Sequence, residues 1–326
     1  MHRLLKVFAT TLTCCLVLVI NSCNSSSHGP QEKYYLVATN IKIPYWQAAA
    51  AGLAKVATDI KVTTQITGPE TYNPQAQREE FARIVAMKPA GILLSPADPG
   101  LLKEDIDKAI AAGVPVITMD SDAPATQRVM FIGTNNYQAG LIGGRVLIKQ
   151  LQGKGNVVVF TIPAQENLEE RLRGYKDALV SSPHISIVQV VDIRGDSALA
   201  FDKTVEIVDA GKLKIDAFVC LEATACKEVA EVLNRKKSTG KVVIAMDTEQ
   251  GTLEWIEKGV IAATIAQRPY TMAYYGVKML DDLHHHKPAA GGNWRQNLTS
   301  PIPAIIDTGA SLVDKSNLAE IRNTAK

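Results

Sequence analysis

From Tyr34 onward, short apolar runs alternate with helical stretches. The runs predict strands over 34–39, 61–66, 91–95, 115–119, 156–161, 185–191, 216–221, 241–246 and 260–265. Several of them, GILLS and NVVVFT among them, lack polar alternation, as expected of strands covered on both faces. Helices are predicted between them, over 44–58, 74–87, 99–112, 137–152, 167–181, 197–211, 223–237, 249–258 and 269–285. The order βαβαβ occurs twice, which calls for an α/β chain with two parallel sheets wrapped by helices. Pro44 and Pro74 suit first helical turns, where a missing N–H costs nothing. Gly113 ends one helix before a strand, and Asp196 or Ser197 can cap another. One stretch departs from the alternation. Residues 287–303 are rich in Gly, Pro, Asn and Gln and predict a loop, followed by a last short strand at 303–307.

The N-terminus follows a different logic. Arg3 and Lys6 precede an apolar run, Val7 to Ile20, that falls short of the roughly 20 residues a membrane span needs. It ends in Ile20-Asn21-Ser22-Cys23, which resembles a bacterial lipobox. The expectation is a lipoprotein signal peptide at 1–22, lipidation of Cys23, and a polar tether at 23–33. A buried N-terminal helix with incidental cysteines is the rival reading. Localisation would then be the periplasm or the cell surface, with acyl chains holding the protein on a bacterial membrane. Once the signal has gone and Cys23 is acylated, Cys220 and Cys226 remain. They suit either a bridge or, as we prefer, two small buried side chains.

Composition narrows the function. The 326 residues are 46% hydrophobic and 21% charged, enough for about two cored domains and too apolar for a disordered chain. The net charge of +2 argues against a nucleic-acid partner. No phosphate-binding loop, dinucleotide fingerprint or nucleophile elbow occurs. His284, His285 and His286 are adjacent, so they cannot all face one way on a helix, and the remaining histidines show no ligand spacing. Neither a metal nor a cofactor is expected.

Four blocks carry a family likeness: LVATNIKIPYWQAAAAG (36–52), GVPVITMDSDAP (113–124) with FIGTNNYQAG (131–140), VVIAMDTEQG (242–251) and GVIAATIAQRP (259–269), with ERLRGYKDAL (170–179) between them. Together they resemble the periplasmic sugar-binding proteins of ABC importers, the ribose-binding-like group, over 34–318. The resemblance implies the type I periplasmic binding protein fold: two Rossmann-like lobes joined by a three-strand hinge, closing on a ligand in the cleft. Crossings are then expected near Asn135, Gln267–Arg268 and Ile302. The N-terminal lobe would comprise 34–134 plus 268–301, and the C-terminal lobe 135–267 plus 302–326.

Ligands of open parallel sheets sit at the carboxyl ends of strands, and most candidate residues lie there. Tyr45 and Trp46 stand where the family carries stacking aromatics, with packing of the rings into the lobe as the rival reading. Thr39 matches a family hydroxyl position, whereas Ile43 replaces the Asn of the ribose type. Asp120 matches an acceptor of sugar hydroxyls or caps a turn. Ser121 follows it where the ribose type has Arg, and the run 120–124 is similar to the rhamnose and autoinducer-2 branch. Asp122 faces ligand or starts a turn. Arg171 matches the family R-x-x-G-[FY] motif through Gly174 and Tyr175, with Arg173 as the competing register. Glu222 stands where Asn is usual, Asp247 and Gln267 match family positions, and Ile193 replaces an aromatic.

The resulting expectation is a monomeric, non-enzymatic solute-binding lipoprotein that delivers a small carbohydrate to an ABC permease. Three carboxylates against one Arg favour a neutral polyol or an amine over an acidic solute. The alternatives are a sensor module serving a membrane kinase or chemoreceptor, and a hydrolase or deaminase.

Overall fold

The computed structural model describes residues 28–29, 32–211, 213–286, 300 and 302–324. The signal peptide, Cys23, most of the tether and most of the loop at 287–303 therefore lie outside the described residues.

The chain begins with β1 (Lys33–Val37), α1 (Pro44–Ile60), β2 (Thr63–Thr67), α2 (Pro74–Ala86), β3 (Gly91–Leu94), α3 (Pro99–Ala111), β4 (Val116–Met119) and β5 (Phe131–Gly133). It continues with α4 (Asn136–Leu151), β6 (Lys154–Thr161), α5 (Glu166–Leu179), β7 (His184–Asp192), α6 (Ser197–Ala210) and β8 (Ala217–Cys220). Then come α7 (Ala223–Arg235), β9 (Val242–Met246), α8 (Gln250–Glu257), β10 (Ala263–Ala266), α9 (Pro269–His285), β11 (Ile305–Asp307), β12 (Ser311–Asp314) and α10 (Leu318–Thr324).

Two six-stranded sheets result, ordered β11-β5-β4-β3-β1-β2 and β12-β10-β9-β8-β6-β7. The first is parallel throughout, and in the second only the β10–β12 pair is antiparallel. This is the two-lobed α/β fold expected from the chain.

The apolar runs explain why each sheet lies inside its lobe. All four residues of β3 and of β4 are buried. Leu36, Leu93 and Ile117 face a core shared with α1 and α9, while Val37, Ile92 and Leu94 face another with Phe81 and Leu102. Burial of each such side chain is worth about 1.5–3 kcal/mol. Helix starts are set by side-chain caps. Asn73, Asp98, Asn135 and Asp196 each accept backbone N–H groups of their own first turn, contributing about 1 kcal/mol apiece. Asp196, rather than Ser197, caps α6.

The chain passes between sheets at 134–135, at 267–268 and at 308–310. The third passage lies later than the Ile302 expected, because Ile305–Asp307 pairs with β5 in the first sheet. The last strand, β12, was not foreseen. It is held to the second sheet through β10. The first and third passages are tied together. The N–H of Asn135 donates to Asp307 at 3.0 Å, and the N–H of Thr308 donates to the Gly133 carbonyl at 2.8 Å. Cys220 and Cys226 are both buried and unbridged. Among the described residues, no helix is long and apolar enough to cross a membrane.

Candidate functional site

The strand tips of both lobes converge on one cleft with about 500 Å³ of empty volume, counting its mouth. Thr39, Tyr45, Trp46, Asp120, Arg171, Glu222, Asp247 and Gln267 all line it. The structure thus brings together these eight residues expected at the ligand site, but not Ser121.

Asp120 and Asp247 hold corresponding places in the two lobes. One follows β4, the other β9. Each has a left-handed backbone, at φ 67° and 68°. Each N–H donates to the neighbouring strand, at the carbonyls of Ile132 (3.2 Å) and Ile265 (2.8 Å). At Asp120 the chain reverses in one residue, since the Ser121 N–H donates to the Met119 carbonyl at 2.8 Å. That reversal corrects one expectation. Ser121 does not line the cleft; it is fully buried, and its hydroxyl finds no hydrogen-bond partner among the described residues.

Asp120 is held on three sides. The Tyr45 hydroxyl donates to Oδ1 at 2.7 Å, the Ser95 hydroxyl to Oδ2 at 3.0 Å, and the Asn167 amide to Oδ2 at 3.4 Å. Asn167 comes from α5 of the second lobe, so the last of these bonds spans the cleft. Tyr45 and Trp46 meet edge to face, with centroids 5.0 Å apart. Both line the cleft and both pack in the first-lobe core, so the two readings of these rings hold together.

Arg171 joins α5 to three other segments. Nε donates to Asn136 Oδ1 (2.9 Å), Nη1 to the Leu221 carbonyl (2.7 Å) and Nη2 to Gln267 Oε1 (2.8 Å). Gln267 in turn donates to Asp247 Oδ1 at 2.9 Å. A guanidinium has five N–H donors, so two remain for a ligand. The position of α5 depends on Gly174. A Cβ there would stand 2.2 Å from the Tyr137 carbonyl oxygen of α4. Arg173, the competing register, is an exposed residue that pairs with Glu170 at 2.5 Å and lies over the Tyr137 ring.

Glu222 combines two roles. It lines the cleft, and its oxygens accept the Thr224 N–H (2.6 Å) and the Ala225 N–H (2.8 Å) as the cap of α7. Asp122 is a turn residue. It accepts the Arg128 Nη2 group and the Thr118 hydroxyl, each at 2.6 Å. Ile43 lines the cleft, whereas Ile193 is fully buried in the second-lobe core.

Burial dominates the electrostatics. It pushes the carboxyls of Asp120 and Glu222 above their usual range, against the opposing pull of Arg171. It carries Asp247 to about 7. The Tyr45 phenol is pushed well up by burial and by Asp120, so it remains an O–H donor.

Sequence reasoning missed Asn40, Tyr72, Gln165, Asn167 and Gly195, which also line the cleft. Asn167 was findable, because it precedes Arg171 by four residues and shares its helix face. Tyr72 and Gly195 come from loops that carry no periodic signal. They meet across the cleft. Gly195 has φ +67°, and a Cβ on it would stand 2.6 Å from the Tyr72 Cβ. Gly195→Ala is therefore expected to oppose closure. Ligand affinity should fall about tenfold, the effect of roughly 1.4 kcal/mol. Scattering at saturating ligand should give a larger radius of gyration than wild type, and an unchanged radius would refute the clash.

Two α/β lobes, shut on a pocket walled by matching strand tips, define a hinged ligand-binding protein. The chain belongs to the periplasmic binding protein domain family, whose model matches residues 34–288. It is 24% identical over 293 residues to the D-allose-binding periplasmic protein of Escherichia coli (strain K12), covering 86% of this chain and 92% of that one. The solved structure of AraP, an arabinose binding protein from Geobacillus stearothermophilus, is 31% identical, with a TM-score of 0.73 over 89% of this chain and 99% of that one. The XylFII-LytSN complex matches at 25% identity and a TM-score of 0.79, covering 88% of this chain and 98% of the other.

Proposed function

We propose that this protein captures a small neutral carbohydrate by closing its lobes, and passes it to the permease of an ABC importer. Lipid on Cys23 would hold it on the outer side of a bacterial membrane. The reading rests above all on the composition of the cleft. Paired strand-tip carboxyls accept hydroxyls, two Arg171 N–H groups donate, and Tyr45 with Trp46 offers an apolar face. A polyol satisfies all three at once, whereas an acidic solute would meet Asp120, Glu222 and Asp247 with one compensating guanidinium. The names of the D-allose and arabinose binding relatives support the same class. No group in the cleft is assigned a chemical step.

The test is a melting curve against a broad panel of pentoses, hexoses and polyols, with mass spectrometry of any co-purified solute. A binding sugar should raise the melting temperature in a dose-dependent way, by about 2.7 kcal/mol of stability at a hundredfold excess over Kd. No shift across the panel would sink the proposal. A second reading, a sensor that presents its sugar-loaded lobes to a receptor, draws support from the likeness to XylFII, which was solved bound to a partner, LytSN. The two part company on whether the loaded protein drives uptake through a permease or signalling through a receptor.

A further inference from the structure

A second constellation lies on the first lobe, among residues the cleft does not use. His28, Glu32, Asp281 and His285 each offer one ligand atom, and the four atoms all lie within 4.8 Å of one another. His28 Nε2 is 3.1 Å from Asp281 Oδ1, and His285 Nε2 is 3.0 Å from Glu32 Oε2 and 3.7 Å from Asp281 Oδ1. In a tetrahedral zinc site with bonds of about 2.0–2.1 Å, ligand atoms stand roughly 3.3 Å apart. The three separations bracket that edge.

From this geometry we infer a divalent transition-metal site of the zinc type, with two imidazole nitrogens and two carboxylate oxygens. Imidazole with carboxylate selects zinc and its d-block neighbours over calcium or magnesium. The supporting groups are in place. The Tyr34 hydroxyl, on a fully buried residue, donates to Asp281 Oδ1 at 2.9 Å, and the Gly29 N–H donates to Glu32 Oε1 at 2.7 Å. Glu32 Oε2 is thereby left to face His285. All four side chains are 13–20% exposed, shielded but within reach of an ion from solvent. On binding, each imidazole presents a bare Nε2 and keeps its proton on Nδ1. The hydrogen bonds that Nε2 now makes to the carboxylates give way to bonds to the ion. The metal would clip the chain leading into β1 onto the last long helix of the same lobe.

The experiment uses the full chain, stripped with EDTA and titrated with ZnCl₂ or CoCl₂. The readout is the difference between wild type and variants, so that adventitious zinc bound elsewhere on the chain cancels. Wild type should retain one more zinc through gel filtration than His28→Ala or His285→Ala, and each variant should bind that ion more than about tenfold more weakly. Cobalt should give the visible spectrum of a four-coordinate site in wild type only. His284→Ala and His286→Ala should retain the metal. Melting curves in EDTA, matching between wild type and variants, separate loss of the ion from loss of the fold. Equal zinc retention by wild type, His28→Ala and His285→Ala would overturn the site and leave a cluster of hydrogen-bonded histidines and acids.

Discussion

Arg171→Met should cost the protein most of its ligand affinity, while the exposed Arg173→Met leaves it unchanged. Met retains the volume of the buried stem but none of its donors. Three acceptors, on Asn136, Leu221 and Gln267, then lose their partner, and the carboxyls of Asp120, Glu222 and Asp247 lose the charge that offsets their burial. Truncating one member of a buried charge-paired network costs about 2–5 kcal/mol, or roughly 30- to 4,000-fold in Kd. Calorimetry with whichever sugar the panel identifies provides the measurement. Arg171→Lys should recover little of the loss, because an ammonium cannot span the three acceptors as a planar fork does. An Arg171→Met protein that binds within a few-fold of wild type would mean the guanidinium only braces the lobe.

The ligand-free protein should open as pH rises. Asp247 has a pKa of about 7 in the closed cleft, against roughly 3.9 for an exposed aspartate. The folded, closed form therefore favours the protonated carboxyl. The stability this adds to closure is complete below about pH 4 and is lost as pH climbs through 7. Asp120 and Glu222 are shifted in the same direction, so they add to the effect rather than cancel it. Between those limits each such group changes the closed-to-open ratio by up to about tenfold per pH unit. Small-angle scattering of the empty protein should show a radius of gyration that grows from pH 5 to 7.5, and Asp247→Asn should flatten the rise. A radius that is constant, or that shrinks, over this range would contradict the account.

Much of this is legible in the amino-acid sequence. The strands that proved easy to read, such as β3 and β9, are apolar because both faces are covered, so burial itself wrote the signal. The site residues at their ends followed from the rule that parallel sheets bind at carboxyl tips. Illegible parts have physical reasons. β5 is only three residues long, and β12 (SLVD) mixes polar with apolar residues and is fixed by pairing with a strand about fifty residues earlier. Ser121 was misread because one left-handed residue turns its neighbour away from the cleft. The histidine cluster was missed because its ligands lie at the two ends of the first lobe's sequence. Only the packing of α9 beside β1 brings His285 to Glu32.

The matched left-handed strand tips at Asp120 and Asp247 carry a consequence for selectivity. A ring-shaped guest would be seized from opposite rims by two copies of one device, each rigidly cocked by its own backbone. Discrimination would then lie in the span between the rims more than in any single oxygen. Epimers that preserve this span would compete for the same berth.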